Sequence, residues 1–423
     1  MKTRMCVVAL LVLFLCAETR FVRAADLLTP PVVPAGLGVN IHFTDPQPGE
    51  MEMLARGGVR WVRMDFSWDA TEREPGRYDF SAYDRLLGRL DQYHIRAVLI
   101  LDYSNRHYDH GLSPASDEGR KAFARWAVAA AGHFRGRGVL WEMYNEPNIQ
   151  FWKPKPDARQ YIKLALEVGK ALRKAEPGEP YVGPATSQID FAFLEACFRA
   201  GLLEYWSAVS VHPYRQTGPE TAAAEYARLR QLIARYAPKG RHIPILSGEW
   251  GYSSAWKDFD ETSQGKMLAR QWLVNLANDV PLSIWYDWHD DGPDPKEPEH
   301  HFGMVHFRYD AAHRPVYDPK PAYLAAQTLT AALDGFRFQQ RVALAAPEDY
   351  VLVFEKGSQT RLAVWTTSAS PHATQIPVAA GRFHVTGHTG QSLPALTADA
   401  HGLRVTVLDA PQYLVPERLG SGS

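Results

Sequence analysis

The 423-residue sequence predicts a (β/α)8 barrel over residues 25–334, followed by an antiparallel β-sandwich over 335–417. Three observations carry that expectation. Eight short apolar runs alternate with eight helix-patterned segments over about 300 residues, the rhythm of a parallel sheet joined by helical crossovers. After Asp334 the pattern changes to short alternating runs separated by Gly, Pro and Ser, as antiparallel sheets are. Finally, two of the eight runs end in a glutamate flanked by aromatic residues. In a barrel such positions fall on the rim that carries chemistry.

Residues 1–24 read as an export signal rather than structure. Lys2 and Arg4 precede the apolar run Met5 to Cys16, which is short for a membrane span, and Val22-Arg23-Ala24 offers small residues for cleavage. A secreted or periplasmic protein follows, with no stable membrane insertion after cleavage. An uncleaved anchor is the alternative. Cys6 and Cys16 leave with the signal, so Cys197 stands alone and no internal disulfide can form. Stability must come from core packing, which a chain of this length supplies. With 46 basic and 47 acidic residues the net charge is −1, which argues against nucleic acid and anionic membranes as partners. We expect a monomer.

The barrel strands are expected at 36–42, 59–65, 97–101, 139–144, 181–184, 208–211, 243–248 and 282–286. Helices are expected at 50–56, 81–93, 119–134, 158–175, 191–203, 220–237, 261–278 and 321–333. Ile162, Ala165, Leu166, Gly169 and Leu172 form the stripe of a helix lying on a sheet, and Pro321 sits in the first turn of the last helix. Sandwich strands are expected at 336–344, 350–355, 362–367, 374–378, 383–386 and 403–408. That domain reads as a structural support more than a carbohydrate-binding module, since no cluster of aromatics marks it. Residues 418–423 form a flexible tail.

The fourth run, Val139 to Tyr144, stops at Asn145-Glu146-Pro147 because proline cannot donate to a ladder. The seventh, from Ile243, ends at Glu249-Trp250. Two carboxylates at two strand ends suit glycosidic bond cleavage, in which one protonates the leaving oxygen and the other serves as nucleophile or base. The other strand ends bring Asn40 and His42, Arg63 and Asp65, Asp102 and Tyr103, His212 and Tyr214, and Trp285-Tyr286-Asp287. Flat rings for sugar C–H faces and polar groups for hydroxyls thus gather on one rim. The segment 102–118 either walls off the site or flanks a groove. His289, Asp290 and Asp291 with Glu297, Glu299, His300 and His301 match no common ligand spacing. No metal or cofactor is expected.

Arg63, Asn145-Glu146-Pro147, His212-x-Tyr214, Glu249 and Trp285, in this order along the barrel, resemble the retaining glycoside hydrolases of clan A. Gly38-Val39-Asn40-Ile41-His42-Phe43 and Asp318-Pro319-Lys320-Pro321-Ala322-Tyr323 bring the resemblance nearest to glycoside hydrolase family 39, and within it to the Psl-type exopolysaccharide glycosidases of biofilms. The resemblance implies Glu146 as acid/base and Glu249 as nucleophile. It implies Asn145 on the sugar 2-hydroxyl, Arg63 and Tyr214 holding Glu249 ionised, His212 orienting the network and Trp285 under the reacting sugar. Trp152 and Trp250 are expected as neighbouring platforms, with His42 and Tyr103 as further substrate contacts. The substrate would be a β-linked polysaccharide or oligosaccharide. A polysaccharide-binding or assembly protein without turnover, and a transglycosylase using the same site, are the competing readings.

Overall fold

The computed structural model describes Leu28 and residues 32–417. The signal segment 1–24 and the tail 418–423 lie outside the described residues. Eight strands close into a parallel, TIM-type barrel: β1 (Leu37–Asn40), β2 (Trp61–Ser67), β3 (Arg96–Asp102), β4 (Leu140–Met143), β5 (Tyr181–Ser187), β6 (Ala208–His212), β7 (Ile245–Trp250) and β8 (Ser283–Trp285). Strand β8 pairs back onto β1, with Val39 opposite Trp285.

Helices α1 (Glu50–Arg56), α2 (Trp68–Thr71), α3 (Ser81–Gln92), α4 (Asp117–His133), α5 (Ala158–Ala175), α6 (Phe191–Arg199), α7 (Ala222–Tyr236), α8 (Glu261–Ala277) and α9 (Pro321–Ala332) surround the sheet. Their starts follow local chemistry. Asp157 accepts from the backbone N–H groups of Arg159 and Gln160 to cap α5, and Asp260 accepts from Ser263 N–H to cap α8. The buried face of α5 is Tyr161, Leu164, Ala165, Val168, Gly169 and Leu172. That stripe is rotated from the expected one, with Ile162 and Leu166 only half-buried. Tyr161 decides the rotation: its hydroxyl donates to Met143 O on β4 at 3.1 Å, so the ring must point inward.

Inside the barrel, Trp61, Val98, Leu140, Val182, Leu246 and Ile284 form their own apolar cluster, closed by Leu28. Because strand side chains alternate with period two, the next inward positions on β2, β4, β6 and β7 are Arg63, Glu142, Ser210 and Gly248. The interior therefore turns from apolar to charged within one layer, toward the strands' carboxyl ends. Gly248 is required there. A Cβ would overlap Ser210 Oγ and lie 3.0 Å from Glu142 Oε1.

The C-terminal region has a six-stranded antiparallel sheet in the order β14-β13-β16-β11-β10-β9, facing the pair β12-β15. The strands are β9 (Arg337–Arg341), β10 (Asp349–Lys356), β11 (Gln359–Thr366), β12 (His372–Ile376), β13 (Gly381–Gly387), β14 (Ser392–Ala398), β15 (Leu403–Val407) and β16 (Gln412–Pro416). Val351, Val353, Leu362 and Val364 point into the sandwich core. The alternate residues Leu352, Phe354, Ala363 and Trp365 join the barrel's core instead. One sheet thus serves two cores through its period of two. Beside that seam Arg270 of α8 grips Glu220 at 2.8 and 2.7 Å, and Trp365 Nε1 donates to the same carboxylate at 2.7 Å.

Candidate active site

The strands' carboxyl ends surround a cleft of about 670 Å³ lined by Asn40, His42, Arg63, Asp65, Tyr103, Asn145, Glu146, Tyr214 and Glu249, among others. Glu146 follows β4 and Glu249 ends β7; both are buried. One carboxylate oxygen of Glu146 lies within 4.8 Å of one of Glu249, with His212 Nδ1 2.9 Å from the first and 3.9 Å from the second carboxylate. The backbone helps to aim the first glutamate. Glu146 has φ +43, a left-handed conformation that costs a side-chain-bearing residue of order 1 kcal/mol or more. Its N–H donates to Ala185 O at 2.9 Å on the neighbouring strand.

The two carboxylates have different partners. Glu249 accepts on Oε2 from Arg63 Nη1 at 2.6 Å and on Oε1 from the Tyr214 hydroxyl at 2.9 Å. Burial and the adjacent Glu249 charge raise the Tyr214 phenol well above its ordinary range, so it stays a donor. Glu146 has one protein partner, His212 Nδ1, at 2.9 Å from Oε1. His212 Nε2 is buried with no partner. We assign the ring proton to Nδ1, since an orphaned lone pair costs less than an orphaned N–H. Oε1 of Glu146 then accepts from that ring N–H.

Arg63 is the hub. Its Nε donates to Glu142 at 2.6 Å, Nη1 reaches Glu249 and Asn40 Oδ1 (3.2 Å), and Nη2 reaches Asn145 Oδ1 at 2.8 Å. Burial alone would lower the guanidinium, but Glu142 and then Glu249 outweigh it and hold the group above its ordinary value. Ser210 completes the Glu142 shell at 2.5 Å. The Asn145 carbonyl oxygen is tied to Arg63, and the amide N–H side of Asn145 faces the Tyr103 phenol in the cleft. Nearby, burial and then Asp65 push the Asp102 carboxyl well above its ordinary range. His42 faces Asp287 at 3.4 Å. Burial would lower His42, but Asp287 overrides it and brings it to about 9, while burial lifts Asp287 to about 7.

Glu146, Glu249, Asn145, Arg63, His42, Tyr103 and Tyr214 therefore converge on the cleft, with His212 directly behind. The three tryptophans do not. Trp285 has no exposed surface, stacks on Tyr252 with centroids 6.3 Å apart, and donates to Phe302 O at 3.2 Å. Trp250 is equally buried, and Trp152 packs against Tyr144 and Tyr161. A ring with no accessible face cannot stack on a sugar. The cleft's aromatic walls are instead Tyr103 with the stacked, half-exposed Phe151 on one side, and Tyr286, Phe302 and Trp256 on the other.

Glu142 escaped the sequence reading, although a lone acid between Trp141 and Met143 on a buried strand must find a cation. Of the 102–118 segment, Tyr103 lines the cleft. Tyr108 stacks on Trp68 at 5.0 Å, and Asn105 donates to Glu72 O at 2.9 Å. The His/Asp/Glu residues after β8 are dispersed: Asp290 pairs with buried Lys320 at 2.8 Å, His289 stacks on Tyr317, and His301 reaches Asp294 O.

No family model and no curated protein sequence matches the chain. Solved structures do. A family 39 glycoside hydrolase from the gut symbiont Bacteroides cellulosilyticus WH2 superposes with a TM-score of 0.78 at 22% identity, over 90% of this chain and 81% of that one. A family 39 β-xylosidase from Caulobacter crescentus gives 0.66 at 16% identity, over 90% and 96%. A family 30 endoxylanase from Clostridium papyrosolvens C71 gives 0.61 at 10% identity, over 90% and 96%. At these identities the likeness establishes the fold: a (β/α)8 barrel with an appended β-sheet domain, as glycoside hydrolases of families 39 and 30 have.

Proposed function

We propose that the protein is a retaining O-glycosidase that cleaves β-linked polysaccharide or oligosaccharide by double displacement. The observation that carries this reading is the close carboxylate pair with unequal hydrogen-bond shells. Retaining enzymes hold their carboxyl groups ~5–5.5 Å apart, and inverting enzymes need ~6.5–9.5 Å to admit water between them. The gap here, with oxygens within 4.8 Å, suits the first.

The shells divide the roles. Glu249, with a cation and a phenol donating to it, stays ionised and attacks C1. Glu146 gives its Oε2 proton to the glycosidic oxygen as that bond breaks. In the second step Glu146 takes a proton from water, water attacks C1, and Glu249 leaves; two inversions restore the anomeric configuration. The Asn145 amide bonds the sugar 2-hydroxyl, a contact that strengthens in the transition state. His212, donating to Oε1, keeps the acid/base rotamer fixed.

The finer reading is an exported enzyme acting within exopolysaccharide chains of a biofilm. The open cleft with aromatic walls on both sides, and the β-xylosidase and endoxylanase among the neighbours, support a β-linked chain as substrate. Two experiments test the proposal. Digestion of purified polysaccharides with product sizing should show new reducing ends. Products longer than the substrate would indicate transglycosylation, and binding without cleavage an assembly role. Incubation with an activated 2-deoxy-2-fluoro glycoside of the responsive sugar should leave one glycosyl adduct on the peptide containing Glu249. An adduct elsewhere, or an inverted product, removes the double-displacement reading.

A further inference from the structure

The buried carboxylate of Asp287 is not used by the glycosidase chemistry. It follows β8, is 1% exposed, and neither of its oxygens has a hydrogen-bond partner. A buried carboxylate without hydrogen bonds is costly unless a positive charge reaches it, either the imidazolium of His42 or a bound cation. Two ligating side chains face it: His42, just past β1, with Nε2 at 3.4 Å from Oδ2, and Asp291, exposed on the loop after β8. One donor atom from each of the three lies within 4.8 Å of the others.

We propose that His42 Nε2, Asp287 and Asp291 bind a first-row divalent cation of the Zn²⁺ class at the margin of the cleft. Zinc–nitrogen and zinc–oxygen bonds of ~2.0–2.1 Å at tetrahedral angles put neighbouring ligand atoms ~3.3 Å apart. The His42–Asp287 separation of 3.4 Å matches that edge, whereas it makes no hydrogen bond. Asp291 closes the remaining gap, at most ~1.5 Å, by a side-chain rotation that its exposure permits. One imidazole and two carboxylates form a mixed N/O set, which suits zinc or manganese better than calcium or magnesium. His42 itself lines the cleft, so the fourth position opens toward water or an oxygen of a bound carbohydrate. The cation would sit beside the Glu146–Glu249 pair and take no part in its proton transfers. The inference stands independently of the glycosidase reading, because a binding titration needs no substrate.

The test uses the full chain, freed of any affinity tag, titrated with ZnCl2 at pH 8 by calorimetry, with Mn²⁺ and Ca²⁺ in parallel. One high-affinity Zn²⁺ per chain is expected, with Asp291→Ala weakening it at least tenfold and His306→Ala, at a separate acidic contact, leaving it unchanged. Co²⁺ in the parent should give the visible absorption of a low-symmetry protein site, lost in Asp291→Ala. Asp291 is exposed, so this variant folds even where Asp287→Asn does not. A parent chain without stoichiometric binding overturns the assignment. So does a Zn²⁺ isotherm for Asp291→Ala that overlays the parent's.

Discussion

Replacing Glu142 by alanine tests the charge arrangement under the site most directly. Glu142 touches no substrate in the proposed reaction. It is buried, receives Arg63 Nε at 2.6 Å and Ser210 Oγ at 2.5 Å, and stands where the barrel interior changes from apolar to charged. Removing one partner of a buried pair costs about 3–5 kcal/mol, because the other charge stays buried and under-compensated. At roughly 2.1 cal/mol/K of unfolding entropy per residue, a barrel of about 300 residues loses ~1.6 °C of Tm per kcal/mol, hence ~5–8 °C. Arg63 would then keep its salt bridge to Glu249 and its contacts to Asn40 and Asn145, without the carboxylate on its Nε side. We expect kcat on an activated aryl glycoside to fall by about tenfold or more, since a displaced guanidinium misaligns both Glu249 and Asn145. Glu142→Gln keeps the acceptor for Arg63 Nε and should recover much of the Tm with less of the rate. Calorimetric melts and initial rates on the same preparations measure both. If Glu142→Ala melts within a degree of the parent and keeps its kcat, the buried network does not position the catalytic groups.

Four further outcomes follow from the same structure. Glu249→Ala should abolish turnover whatever the leaving group, whereas Glu146→Ala should spare good leaving groups and respond to added azide; near-normal rates for Glu249→Ala on an activated glycoside contradict the roles. Phe151→Ala should weaken binding of longer oligosaccharides by about 2- to 12-fold, the equivalent of 0.5–1.5 kcal/mol of stacking, while Trp285→Ala should chiefly destabilise the fold by about 3–5 kcal/mol; KM and Tm for the pair separate the two. Lys320→Met strands buried Asp290, which also accepts Gly303 N–H at 2.9 Å, so it should cost about 3–5 kcal/mol and raise KM by loosening the segment that carries Phe302; Lys320→Met with Asp290→Leu should regain part of the lost Tm. His388, between β13 and β14, is lowered to about 4, by burial first and Lys266 second. The unfolded chain therefore binds the extra proton first, and stability should drop by up to ~3 kcal/mol as pH falls from 6.5 to 4; melts of His388→Phe should lack this slope.

Most of the fold is legible in the sequence because period and punctuation agree along it. All eight barrel strands lie within a few residues of expectation, and Pro147 marks the end of β4 correctly in sense. Two sandwich strands are less visible. Ser392–Ala398 carries Pro394 in its middle, and Gln412–Pro416 is short and ends in proline, so each reads as turn. In the site, the polar residues are legible because they end strands. The tryptophans mislead because nearness to a strand end says nothing about direction. Period-two alternation does on β8: with Ile284 in the barrel interior and Tyr286 lining the cleft, Trp285 must point away from both. On β7 the register shifts between Ser247 and Trp250, so alternation fails there, and the buried Trp250 ring packs against Tyr252 with centroids 6.0 Å apart. Contacts such as Arg63 with Glu142 span 79 residues, and no local pattern announces them.

In the proposed reaction the division of labour between the two glutamates is a matter of how many donors each receives, and the barrel fixes that number from below. Arg63 can reach Glu249 and Asn145 together only because Glu142 holds its Nε end, and Glu142 fits only because β7 offers Gly248 opposite it. Burying this much charge is unfavourable, and an all-apolar interior would be the more stable one. The chain confines the expense to one layer. Directly beneath lies the apolar cluster of Trp61, Leu140 and Leu246, which excludes water from that end and keeps the local dielectric low. In that setting the Arg63 and Tyr214 contacts to Glu249 are stronger than they would be in water. In the proposed reaction Glu146, with its single donor, is the carboxyl that exchanges a proton with the bond being cut.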